Sequence, residues 1–342
     1  MSEKKLNVVV VGAGYWGKNL VRNFAAAKRC NLRFVCDLDS KVLDMQKRNF
    51  PSIKISTDVN EVLESGDIEA VVIAVGAPEH FEIAKKSLEA GKHTFVEKPL
   101  TLTAADAKEL VETAEKNNLK LMTGHLLEYH PAVTYIKDLI DQGFLGRPYY
   151  MYTQRVNLGI VRQNENAWWS LAPHDISVIC FLFETDPVSV TAHGQCYLQK
   201  GIEDVVFATV KFADGKIAHI HCSWLDPHKI RKMTVVGSEK MVTFDDMEAS
   251  EKVRIWDKGA AVKKDTETAY PEVISLRFGD IVIPKIAGGE PLAIECGHFI
   301  DCVLDDKKVI SDGRDGLKVV KVLQAGQMSL DKKGEPVNPE KI

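Results

Sequence analysis

Residues 7–18 read Asn-Val-Val-Val-Val-Gly-Ala-Gly-Tyr-Trp-Gly-Lys, and this stretch decides the fold. Four consecutive valines without polar alternation predict a strand buried on both faces, as in a parallel sheet. Gly12, Gly14 and Gly17 follow at G-x-G-x-x-G spacing, where the chain turns into a helix. Gly12 permits the tight turn, Gly14 lets a pyrophosphate approach the backbone, and Gly17 lets helix and strand pack closely. The helix start offers unpaired N–H groups and a positive dipole end to the phosphates. A second apolar run, Leu32–Cys36, ends at Asp37, twenty residues beyond Gly17. That is where the acid that binds the ribose hydroxyls stands in a dinucleotide site. The pattern predicts a dinucleotide domain in which Ala13, the three glycines and Asp37 meet the cofactor, while the aromatic rings of Tyr15 and Trp16 either touch it or serve helix packing alone. Leu38-Asp39-Ser40 follows Asp37 without an arginine. A lone carboxylate there accepts two hydroxyls and repels a 2′-phosphate, so NAD is expected over NADP.

A chain of 342 residues suggests about two domains. Hydrophobic residues make up 45% and charged residues 27%, ordinary for a soluble enzyme. A net charge of −4 without a basic tract argues against nucleic acid or an anionic membrane as partner. Met-Ser-Glu-Lys-Lys runs straight into the first strand, so no signal peptide is expected. No apolar run reaches the ~20 residues of a membrane span. Seven cysteines without a C-x-x-C pair suit reduced thiols and a cytoplasmic location. Cys30, Cys36, Cys180 and Cys222 read as small core residues.

Strand and helix signals alternate as far as residue 125, which predicts a doubly wound parallel sheet. Beyond it, strand-like segments dominate: 147–157, 187–198, 204–213, 215–225, 230–237, 239–245 and 251–256. Helices are expected near 131–142 and 168–183, and amphipathic helices at 292–304 and 312–331. The expectation is an α/β protein: an NAD-binding Rossmann domain over 1–125, then an α/β domain with an open, mainly antiparallel sheet over 126–342. The second serves substrate binding and oligomerisation, since its open sheet face needs covering, which implies a homodimer or homotetramer.

Ligands bind doubly wound sheets at the C-terminal strand ends. Val75, Pro78 and His80 follow the fourth strand, and Glu97-Lys98-Pro99 follows the fifth. Pro99 restricts Lys98 to an extended backbone and admits either isomer of the peptide bond between them. A lysine alone is more often plain surface. His174 stands near the start of an apolar helix and can take a proton near neutral pH, with Asp175 read as a helix cap. Capping or simple hydrogen bonding is an equal reading of that histidine. His125 and His130 lie at the expected domain junction, where ligand clefts form. Arg155, on a strand with Tyr152, offers a bidentate grip on a diphosphate, or is simply a solvated strand residue. His219 and His221 share a strand face without an evident third and fourth ligand, so no metal is expected. Ser170 and Ser223 have no G-x-S-x-G setting, so nucleophilic hydrolysis has no support.

Taken in order, the glycine loop, Ala74–His80, Glu97-Lys98-Pro99-Leu100, Gly124-His125 and Ala172-Pro173-His174-Asp175 resemble the glucose-fructose oxidoreductase and inositol dehydrogenase family (Gfo/Idh/MocA). Ser311-Asp312-Gly313-Arg314-Asp315-Gly316 resembles that family's last helix entry. The resemblance implies NAD(P)-linked oxidation of a sugar or cyclitol hydroxyl, with Lys98 and His174 handling the hydroxyl proton. Cofactor contacts are also expected from Glu97 and Lys98, and substrate contacts from Lys98, His174, His125 and Arg155, while Asp175 assists only if its side chain turns inward. Many relatives carry aspartate four residues before the histidine, where this chain has Ser170, and glycine where it has Ala172. The segment Trp168–Asp175 is most similar to members acting on nucleotide sugars in polysaccharide and lipid A assembly. That similarity implies oxidation at C3 of a UDP-N-acetylhexosamine. Rival expectations are a free-sugar or cyclitol dehydrogenase, a non-catalytic NAD-binding sensor, and a hydrolase that uses NAD transiently.

Overall fold

The computed structural model describes residues 4–264 and 272–342. The chain divides into two compact units, residues 1–129 with 289–324, and residues 130–288 with 325–342.

In the first unit, strands β1 (Leu6–Val11), β2 (Cys30–Cys36), β3 (Lys54–Ser56), β4 (Ala70–Ile73), β5 (His93–Glu97) and β6 (Leu121–Gly124) form one sheet in the order β3-β2-β1-β4-β5-β6. Every neighbouring pair is parallel. Helices α1 (Gly17–Ala26), α2 (Ser40–Asn49), α3 (Val59–Glu64), α4 (Ala77–Glu89) and α5 (Ala104–Lys116) connect the strands. Val8, Val9 and Val10 are wholly buried, which is why that run lacks polar alternation. Strand order reverses between β1 and β4, so the crevice for a ligand opens at their C-terminal ends.

In the second unit, helices α6 (Pro131–Asp141) and α7 (Ala167–Phe183) accompany an eight-stranded sheet. Its strands are β7 (Pro148–Val156), β8 (Pro187–Gln195), β9 (Val205–Phe212), β10 (Ile217–Ser223), β11 (Ile230–Gly237), β12 (Met241–Asp245), β13 (Val253–Lys264) and β14 (Glu272–Val282). They lie in the order β14-β13-β12-β11-β7-β10-β9-β8. Pairing is antiparallel except between β7 and β10. On β7, Met151 and Thr153 are buried beneath α7, while Tyr150 and Tyr152 point to the other face and are exposed. The sequence reading stopped at 256 and missed the β13–β14 hairpin. Its alternating Ile274, Leu276 and Phe278 are exposed, so no buried stripe announces that strand.

The expected cut at 125, with everything beyond in one domain, does not hold. Helix α8 (Pro291–Leu304) and the start of α9 (Gly313–Asp331) return to the first unit. Phe299 of α8 packs edge-on against Phe24 and Phe95, with ring centroids 6.4 and 5.7 Å away. Periodicity marked these segments as amphipathic helices but carries no information about which sheet they cover. All seven cysteines are free thiols, six of them buried. Among the described residues no helix is long and apolar enough to cross a membrane.

Candidate active site

The glycine loop is built as its spacing demands. Gly12 has φ +86°, and a Cβ there would lie 2.7 Å from the backbone of Ala74. A Cβ on Gly17 would fall 2.0 Å from the carbonyl of Gly12, whereas nothing lies within 4 Å of one on Gly14. The outer two glycines close the turn against β4, and the middle one leaves open space for a ligand. Asp37, at the end of β2, accepts the Ala13 N–H at 2.7 Å and the Asp39 N–H at 2.9 Å. One carboxylate thus holds the glycine loop and tops the second strand together. The cleft beside them has a volume of about 630 Å³, and Gly12, Gly14, Asp37, Leu38, Asp58 and Val75 are among its lining residues. Open space, glycine backbone and an acid at the β2 end fit a dinucleotide.

Tyr15 is exposed, and Trp16 precedes the first residue of α1. The Trp16 indole N–H donates to the buried Glu97 carboxylate at 2.6 Å. Glu97 also accepts the Lys98 N–H at 3.3 Å. Burial pushes the Glu97 carboxyl upward, against the Trp16 hydrogen bond and the Lys98 charge. The Lys98–Pro99 bond is cis, and Lys98 is half-buried. His80 is buried rather than presented to the cleft. Its Nδ1 lies 2.7 Å from the Pro99 carbonyl and its Nε2 lies 3.3 Å from that of Val75. It braces the β4 end against the Glu97-Lys98-Pro99 turn, and burial lowers its pKa. Pro78 is exposed in the first turn of α4.

His125 is buried at the end of β6. Its Nδ1 lies 2.7 Å from Asp315 and 3.2 Å from Glu128. Burial pulls the imidazole pKa down, but the two carboxylates outweigh it and push it up to about 10. Sequence reasoning singled out neither Glu128 nor Asp315, because Asp315 comes from a helix 190 positions further along.

In the second unit, His174 is half-buried in α7. Asp175 does not cap that helix. Asn166 does, its side chain accepting the Trp169 N–H at 3.1 Å. Asp175 instead receives Arg155 in a two-pronged ion pair, Nε–Oδ2 2.8 Å and Nη2–Oδ1 3.1 Å. Arg155 is therefore neither a solvated strand residue nor an unengaged cation awaiting a diphosphate. It shares the strand face of Met151 and Thr153, toward α7. His130 caps α6 by accepting the Ala132 N–H at 3.1 Å and packs at a tilt against Phe244, with ring centroids 5.0 Å apart. His219 and His221 stack on Phe207, with the His221 ring 4.3 Å away.

A glycine loop clasped by an acid at the switch point of a 3-2-1-4-5-6 sheet defines a dinucleotide-binding Rossmann domain. The chain belongs to the Gfo/Idh/MocA oxidoreductase family. The family's NAD-binding Rossmann domain matches residues 6–125 and its C-terminal domain matches residues 133–243. NAD is thus the cofactor of the first unit. UDP-N-acetylglucosamine 3-dehydrogenase from Acidithiobacillus ferrooxidans is 25% identical over 91% of this chain and 93% of its own. Its solved structure superposes with a TM-score of 0.81, covering 96% of this chain and 99% of that one. The NAD(+)-dependent scyllo-inositol 2-dehydrogenase of Bacillus subtilis is 26% identical over 90% of this chain and 89% of its own. An uncharacterized oxidoreductase of Streptococcus pneumoniae, 26% identical, is matched over 61% of this chain and 60% of its own length.

Proposed function

We propose that the protein is an NAD-dependent dehydrogenase oxidising a secondary hydroxyl of a nucleotide sugar, at C3 of a UDP-N-acetylhexosamine. The observation that carries the reading is the Glu97-Lys98-Pro99 turn at the end of β5, tied to the glycine loop through the Trp16–Glu97 hydrogen bond. That tie links the turn carrying Lys98 to the loop expected to hold the cofactor's phosphates, which supports a role for the lysine at the cofactor. The near full-length similarity to the Acidithiobacillus enzyme supports the nucleotide-sugar class.

Bound NAD+ supplies the hydride acceptor. His174 accepts the hydroxyl proton at its imidazole nitrogen, and Lys98, charged, hydrogen-bonds the same oxygen and stabilises its developing negative charge. With serine at position 170, these two side chains carry the proton work alone. The acids of the cleft, Asp37, Asp58 and Glu79, favour NAD over NADP by repelling a 2′-phosphate. We further propose that two copies associate through the open sheet face bearing Tyr150, Tyr152 and Phe207, each exposed to solvent in a single chain.

The test is incubation with NAD and a panel of UDP-sugars, free hexoses and inositols, following NADH absorbance with an aminotransferase present to remove keto product. NADH formation with UDP-N-acetylglucosamine and not with inositol is expected. The reverse would replace the substrate class with a cyclitol, and silence across the panel would favour a sensor.

A further inference from the structure

Behind the Glu97-Lys98-Pro99 turn, the first unit buries several ionisable groups that the proposed chemistry does not use. His125 follows β6, Glu128 lies in the short 3₁₀ turn Leu126–Tyr129, and Asp315 sits in the first turn of α9. We infer that His125, Glu128 and Asp315 form a binding site for one divalent first-row metal ion.

The geometry is that of a coordination face. One ligand atom from each residue lies within 4.8 Å of the others. His125 Nδ1 is 2.7 Å from Asp315 Oδ2 and 3.2 Å from Glu128 Oε1. An ion bound at ~2.0–2.2 Å holds adjacent ligand atoms roughly 3 Å apart. The two separations from His125 Nδ1 lie near that edge length.

Hydrogen bonding leaves the cluster short of donors. His125 Nδ1 is directed to Asp315, the fully buried Glu128 makes no hydrogen bond and has only the 3.2 Å approach of His125 Nδ1 to its Oε1, and His125 Nε2 has no hydrogen-bond partner. Glu295, fully buried on α8, leaves both of its oxygens without a partner too and interacts electrostatically with Glu97, His125 and Glu128. One imidazole stands here among the carboxylates of Glu128, Asp315 and Glu295. Burying acceptors and charge without compensation is costly, and a dication removes that cost.

Two carboxylates and one imidazole, with no thiolate, select Mn2+ or Zn2+ rather than a soft cation. The Asp315 side chain is 18% exposed, which leaves a route from solvent. The bound ion clamps the end of β6 to the start of α9. Since Gly124 pairs with Glu97 across β5 and β6, the clamp steadies the strand end next to Lys98. This inference does not depend on which substrate the enzyme takes.

The experiment uses the full-length protein stripped with EDTA and passed through a desalting column. It is then titrated with MnCl2 or ZnCl2 by calorimetry, with metal content read by mass spectrometry after a second desalting step. Retention of one equivalent per chain and a thermal midpoint that rises with free metal are expected. Glu128→Gln and Asp315→Asn should each weaken binding at least about tenfold, while His221→Ala, on the sheet of the second unit, leaves it unchanged. Retention of no metal by the unmutated protein overturns the inference without reference to any variant. So does affinity unaltered by both substitutions in variants whose circular dichroism matches the parent, or affinity abolished by His221→Ala.

Discussion

Replacing Arg155 by methionine isolates the energetic role of the ion pair beneath α7. The guanidinium and the Asp175 carboxylate exchange two hydrogen bonds, at 2.8 and 3.1 Å. Their side chains are only 12% and 7% exposed. Solvent screening is weak at that burial, so the single substitution leaves a carboxylate in the interior without its counter-charge. Breaking a buried pair in this way costs about 3–5 kcal/mol. In a unit of this size each kcal/mol moves the midpoint by about 2–4 °C, so a fall of roughly 6–20 °C is expected. Replacing both partners, Arg155→Met with Asp175→Leu, removes the unpaired charge as well as the pair. The double variant should recover most of the loss, because two apolar side chains of similar volume need no counter-ion. Urea unfolding of the parent, both single variants and the double variant, followed by circular dichroism, closes the cycle. A cost below about 1 kcal/mol for Arg155→Met, the range of a surface pair, refutes the reasoning. So does a double variant as unstable as the sum of the singles.

Three further outcomes follow from the geometry. Asp37→Ser keeps a hydroxyl for the Ala13 N–H but removes the charge at the β2 end, so NADP affinity should rise about 5–30-fold, or about 1–2 kcal/mol; a fluorescence titration with NAD and NADP reads it, and unchanged selectivity counts against the role. Trp16→Phe deletes the indole donor while Glu97 stays buried, and unfolding should register a loss of about 1–3 kcal/mol; no loss would mean the 2.6 Å contact is energetically idle. The Asp246 carboxyl is held well below its ordinary 3.8 by the hydrogen bond from His130, against burial, with Lys252 assisting. The native state therefore binds that proton more weakly than the unfolded chain. The resulting stability is present above about pH 4 and is lost as pH falls below it. Asp246→Asn should flatten the acid limb of the stability profile without changing the slope near neutrality, and an unaltered acid limb would contradict the assignment.

The sequence exposes the first unit well because its signals are local. Valines buried on both faces, glycines fixed by φ and close approach, and an acid at a strand end each leave a mark within a few residues. The return of α8 to that unit is invisible for the opposite reason. An amphipathic stripe on Ile300, Phe299 and Cys296 states that a face is buried, not against which sheet. Arg155 and Asp175 were both singled out, yet their pairing requires β7 to lie under α7, which no spacing encodes. Asp175 cannot serve as the cap, because the helix begins at Ala167 behind Asn166. The His125–Glu128–Asp315 cluster has one long-range member, and Glu128 sits in a turn with no periodic pattern to mark its burial.

The most direct test of the account measures NADH formation and NAD binding in parallel for the parent and for Lys98→Ala, with UDP-N-acetylglucosamine as substrate and keto product continuously removed. The account predicts turnover by the parent and a loss of roughly 10²–10⁴-fold in the variant, with NAD binding weakened far less than turnover. Near-normal turnover by Lys98→Ala would contradict it.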